Sequence, residues 1–124
     1  MNLWKTIALT ACLFAFLSGV ATFVAVAVDL DYECNPNVRR LVLATGSPAS
    51  VFAFTGVWLA MASASSFLAC SRNRRVMIFG RALLLSTLLF MLYQAVNDTY
   101  VLYMIVHGAQ PYPDACPHLF LEVL

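Results

Sequence analysis

The sequence predicts an all-α fold, a polytopic transmembrane bundle of three helical spans running N-in/C-out within one membrane domain. Three features carry this reading: long apolar stretches at residues 3–28, 41–70 and 76–106, few charged residues, and a dense basic turn between the second and third stretches. Of the 124 residues, 62% are hydrophobic and 10% charged, against roughly 25% charged in a soluble domain. Mean hydropathy is +0.83. A water-soluble core of this size cannot bury so much apolar surface. A bilayer accommodates it, because a spanning helix needs about 20 mainly apolar residues and satisfies its own backbone hydrogen bonds.

The first stretch ends at Asp29, Asp31 and Glu33, and Asn35-Pro36-Asn37 then forms a turn cluster that stops any helix. Residues 29–40 are read as the outer loop. Met1 to Lys5 followed by an apolar run and Ala25-Val26-Ala27 also resembles a cleaved signal peptide. The run is longer than the roughly 7 to 15 residues of a signal h-region, which favours a retained span. In the second stretch Pro48 follows Thr45-Gly46-Ser47, predicting a kink or irregular turn there, with residues 41–47 as an amphipathic lead-in. Residues 71–75 are the cytoplasmic turn. Gly108, Pro111 and Pro113 end the third stretch, and residues 108–124 form an outer tail. Trp4 suits the interfacial aromatic belt, whereas Trp58, mid-span, is read as a packing residue.

Orientation rests on the positive-inside rule. Arg72, Arg74 and Arg75 place the second connector in the cytoplasm, with Lys5 on the same side. Arg39 and Arg40 oppose this, but share their loop with three carboxylates. The topology then sorts the four cysteines. Cys34 and Cys116 fall outside, Cys12 and Cys70 toward the cytoplasm, so Cys34–Cys116 is the expected disulfide. The cysteines lack C-x-x-C spacing and no histidine stands at ligand spacing to them, which leaves zinc and dithiol redox chemistry without support.

Lipid supplies no hydrophobic force between spans, so close packing is expected where small residues align. Ala11, Ala15 and Gly19 form one such stripe, and Ala53, Gly56, Ala60 and Ala64 a second. The first two spans are expected to pack along them, and the alternative use of these faces is self-association or docking to a partner span. The third stretch carries a polar cluster, Gln94, Asn97 and Asp98. With Arg81 snorkelling toward the cytoplasmic arginines, hydrocarbon begins near Ala82 and ends about 20 residues later, near Val101. Asp98 is then read as an outer-interface residue, with a partner-helix contact or an oligomeric pore lining as alternatives. Asn97-Asp98-Thr99 is an N-x-T triplet, but its place in a helix beside the membrane argues against glycosylation.

No nucleophile elbow, zinc-protease helix or phosphate-binding loop occurs, so no catalytic residue and no cofactor is nominated. His107 and His118, even with Asp114 or Glu122, lack metal-ligand spacing. A net charge of +1 with scattered basic residues gives no field for nucleic acid and disfavours such a partner. The expected partners are the lipid bilayer and either a membrane protein or further copies of the chain, in the secretory pathway or plasma membrane. The preferred function is a non-catalytic scaffold or accessory subunit of a larger membrane complex. A small homo-oligomeric, viroporin-like channel is the alternative, and a membrane enzyme subunit the third reading.

Overall fold

The structure, a computed structural model, describes residues 2–108. These form helices α1 (Leu3–Val28), α2 (Pro36–Thr45), α3 (Val51–Ala69) and α4 (Arg74–Val106), with 3-10 turns at Leu30–Tyr32 and Pro48–Ser50. No strand occurs among the described residues.

Short polar side chains set the starts. Asn2 Oδ1 accepts from Trp4 N at 2.9 Å, Asn35 Oδ1 from Asn37 N at 2.9 Å, and Asn73 Oδ1 from Arg75 N at 3.0 Å. Each satisfies an amide that the helix itself leaves unpaired. Pro36 opens α2 where no amide proton is needed.

Three helices are long and apolar enough to cross a membrane: Leu3–Val28, Pro48–Ala69 (the 3-10 turn plus α3) and Arg74–Val106. The 33 residues of α4 reach about 50 Å at 1.5 Å per residue, well beyond a hydrocarbon core of about 30 Å.

The second apolar stretch is not one helix over 41–70. Gly46 adopts φ +68° as the C-cap of α2, and Ser47-Pro48 then restarts the chain at a new angle. The left-handed φ suits glycine, and the proline disfavours a helical residue before it. Residues 36–40 of the expected outer loop are therefore helical, in the amphipathic α2. Its buried Val38 and Val42 pack against Val26 of α1 and Val51 of α3, with Phe23, Leu30 and Phe54 around them. Thus α2 sits over one end of the bundle, hereafter the loop end. At the other, arginine end, Ala8, Ala69 and Leu84 form a second cluster with Trp4 and Ile7. The Arg81 guanidinium lies 4.7 Å from the Trp4 ring centroid there, a cation–π contact.

The three long helices all pack on one another. Small side chains come from α1 and α3, whose Ala11, Ala62, Ser65 and Ala69 are almost wholly buried, while α4 supplies the bulk in Leu84 and Met91. Ala15 and Gly19 continue the buried face of α1. A Cβ on Gly19 would fall onto Thr55 Oγ1, and one on Gly80 would fall onto the backbone of Leu68 and Ala69.

The expected stripe on the second span requires correction. Ala53, Gly56, Ala60 and Ala64 are all exposed, and a Cβ on Gly56 would meet nothing within 4 Å. At 3.6 residues per turn the stripe lies roughly 180° from the buried face of Val51, Thr55, Ala62, Ser65 and Ala69. Small residues occur on both faces of α3, and the inner face is the one carrying Thr55 and Ala69, where Gly19 and Gly80 make their close approaches.

Gly80→Ala therefore forces a helix backbone to shift, at an expected cost of about 1–3 kcal/mol, whereas Gly56→Ala should stay within about 0.5 kcal/mol of the parent. Thermal unfolding of the two variants in one detergent checks this. Equal effects would contradict the assigned packing faces.

Candidate functional site

Most hydroxyls of the long helices return to their own backbone. Thr10, Ser63, Ser86, Thr87 and Thr99 each donate to the carbonyl four residues earlier, at 2.7–2.9 Å. A hydroxyl in hydrocarbon takes that partner because no water is present.

At the loop end the pattern changes. Between α1, α3 and α4, below the loop, lies a cavity of about 170 Å³ lined by Ser18, Thr22, Glu33, Thr55, Gln94 and Asp98 among others. Thr22, Thr55 and Gln94 have no hydrogen-bond partner among the described residues, and Thr55 is 7% exposed. Trp58 and Phe90 stack against each other in the wall, ring centroids 4.5 Å apart, with Phe54 beside them. A smaller void adjoins, lined by Thr22, Glu33, Asn97 and Asp98. Asn97 is buried there and likewise lacks a partner among the described residues.

Two carboxylates from different elements meet this space. Asp98 projects inward from α4 and accepts a hydrogen bond from Ser18 Oγ of α1. That carboxylate faces the interior of its own bundle. Glu33 comes from the short link between α1 and α2, and its Oε1 accepts from Asn35 N at 2.7 Å. Burial pushes the Glu33 carboxyl up to about 7. The Asn35 amide opposes the shift, Asp98 adds to it, and Arg39 and the Cys34 amide oppose it. Arg39 is committed elsewhere, with Nη2 2.7 Å from Asp31 Oδ1 and Nη1 3.4 Å from the Glu33 carbonyl.

The residues singled out in the sequence are thus divided. Gln94, Asn97 and Asp98 share one polar interior. Cys34 is buried with Ala25 and Val101, beside Tyr32, Leu102 and Ile105, while Cys116 lies outside the described residues. Cys12 and Cys70 are free thiols. Arg72, Arg74 and Arg75 are exposed at the far end. His107 Nδ1 sits 2.8 Å from the Tyr103 carbonyl, whereas Asp114, His118 and Glu122 lie outside the described residues. Among the described residues no group of three metal-ligating side chains converges.

Sequence reasoning missed Glu33, Ser18, Thr22 and Thr55. Ser18 and Thr22 stand four apart on the same side of α1 as Ala11, Ala15 and Gly19, which was a readable signal. Glu33 offered only its closeness to a helix start on a connector too short to leave the bundle.

Together the fold and this interior define a class, an all-helical protein whose described residues include three helices long and apolar enough to cross a membrane, with a cavity between them that two carboxylates line. Comparison with family models, curated proteins and solved structures yields no match.

The Glu33 carboxyl binds its proton more tightly when docked than when exposed, so docking of the loop is most stable below pH about 4.5 and weakens as pH rises to about 7. The whole change is on the order of 3 kcal/mol. Hydrogen exchange across residues 30–35, corrected for intrinsic rates, should show protection falling over that interval, and Glu33→Gln should flatten the profile. Identical profiles for both proteins would contradict it.

Proposed function

We propose that this protein is a non-catalytic scaffold or accessory subunit of a larger membrane complex, oriented N-in/C-out in the secretory pathway or plasma membrane. The observation that carries the reading is the separation of its surfaces. Gln94 and Asp98 turn inward to the chain's own cavity, while Leu9, Leu13, Phe79, Leu85, Leu89 and Val96 are exposed along the helices. The exposed Ser63, Ser86 and Thr99 hydroxyls are satisfied by their own backbone. An oligomeric channel needs polar residues on an outer face to line its lumen, and the polar cluster is not there. The exposed stripe of Ala53, Gly56, Ala60 and Ala64 instead offers a partner helix a face where two backbones approach closely.

The orientation is supported by charge. Lys5, Arg72, Arg74, Arg75 and Arg81 gather at the arginine end, whereas Arg39 and Arg40 at the loop end stand among Asp29, Asp31, Glu33 and Asp98. A Cys34–Cys116 bond fits the same frame. Cys12 and Cys70 are free thiols, whereas Cys34 is buried and packs against the last turns of α4, the helix that leads into the tail. Such a bond would pin the tail to the loop.

Extraction in mild detergent should bring down a larger membrane protein in fixed stoichiometry, with Gly56→Leu releasing the partner and leaving the chain folded. Recovery of a conducting homo-oligomer would favour the channel instead. Epitope tags should be reached from outside intact cells only at the C-terminus. On a non-reducing gel the wild type should migrate faster than Cys34→Ser or Cys116→Ser, and alkylation of both sulfurs in the wild type would remove the bond.

A further inference from the structure

We infer that the cavity between α1, α3 and α4 is a binding site for a small organic ammonium ion. Four observations converge on that chemistry. The lining contains two carboxylates, Glu33 and Asp98, and no lysine or arginine. Charge drawn from water into such a space is costly unless it is paired. Arg39, the nearest cation on α2, is already bound to Asp31, and α1 and α3 bring no charged side chain to the lining.

Polar groups in the lining await a partner. Thr55, 7% exposed, and Thr22 each present a hydroxyl there, and Gln94 an amide, without a hydrogen bond among the described residues. Ser63, Ser86, Thr87 and Thr99, outside the lining, are bonded four residues back, although Ser65 Oγ, also outside it, is buried without a partner. An unbonded polar group that lines a cavity is placed to serve an occupant.

Part of the wall is aromatic. Phe54, Trp58 and Phe90 line it, the last two stacked. Aromatic faces attract cations and also accept hydrocarbon, so one wall suits both parts of an organic ammonium.

Size excludes a bare metal ion as the occupant that fills the space. The cavity measures about 170 Å³, and a cavity of about 150 Å³ holds benzene. A cation of that size reaches the carboxylates with its ammonium while its body rests on the rings. Because Glu33 is held at about 7 by burial, the site carries more negative charge above that pH, and cation binding strengthens there.

Binding is read on the purified full-length chain, independently of any partner. In a Trp4→Phe background Trp58 is the sole tryptophan and stands in the wall. Benzylammonium chloride at pH 8 should give a saturable change in its fluorescence. Benzyl alcohol, its neutral counterpart, should bind at least tenfold more weakly, as should benzylammonium at pH 5.5. Asp98→Asn keeps an acceptor for Ser18, and Glu33→Gln lies in the link outside the spans; each should weaken binding at least tenfold. Ser86→Ala, on the outer surface, should leave it unchanged. Thermal midpoints establish that the variants are folded, and Glu33→Gln decides the matter if Asp98→Asn is not. Equal binding of benzyl alcohol would reduce the site to an apolar pocket. A saturable response to sodium chloride that displaces benzylammonium would make it an inorganic-cation site. Either result, or full binding by Glu33→Gln, overturns the proposal.

Discussion

Everything at the loop end rests on how closely α1 approaches α3. Gly19 lies against Thr55 with no room for a Cβ between them, and small side chains continue the contact toward the arginine end. In lipid, dispersion across such a seam is the main attraction available to two apolar helices. With α1 and α3 this near, α4 must fill the remaining groove with large side chains. Leu84 and Met91 do so over the lower part. Near Asp98 the lining side chains leave a gap, and the cavity is that gap.

The polar interior follows from this packing. A carboxylate on α4 that faced lipid would be strongly disfavoured, and the face that carries Asp98 is the one directed at the seam. Ser18 supplies a donor from across the interface. Glu33 closes the space from above because the link between α1 and α2 is short and Cys34 next to it is buried among Ala25 and Val101. The loop is therefore part of the site. Its conformation, held by Asn35 capping and by the Arg39–Asp31 pair, decides where one of the two acids stands.

The three spans were legible from hydropathy because length and apolarity alone decide whether a helix can cross a bilayer. The inward face of α1 was legible too, since Ala11, Ala15 and Gly19 align in a helix whose other faces are mostly large. On α3 the same reasoning selected the wrong side. Alanine, glycine and serine surround that helix, and periodicity cannot choose between two small faces. What chooses is the complementary partner, Gly19 against Thr55 and Gly80 against Ala69, which belongs to pairs of helices and not to one. The polar cluster of α4 was visible as composition, but its direction was not. Depth along a helix can be estimated from length, whereas rotation about its axis is set by neighbours. Glu33 was hidden for a similar reason, because a loop carboxylate looks solvated until the chain folds back over it.

The Ser18–Asp98 contact has a bearing on how the protein is made. Its two partners lie 80 residues apart, and the earlier one belongs to a helix that leaves the ribosome well before α4. By the time α4 is synthesised, α1 and α3 already precede it, with Ser18, Thr22 and Thr55 on their facing sides. The insertion cost of an aspartate at the centre of a lone helix is about 2.5–3.5 kcal/mol. Entering after α1 and α3, the acidic helix finds a hydrogen-bond donor waiting in a groove shaped by those two helices, so the order of the chain itself shelters the group that isolated insertion would penalise most.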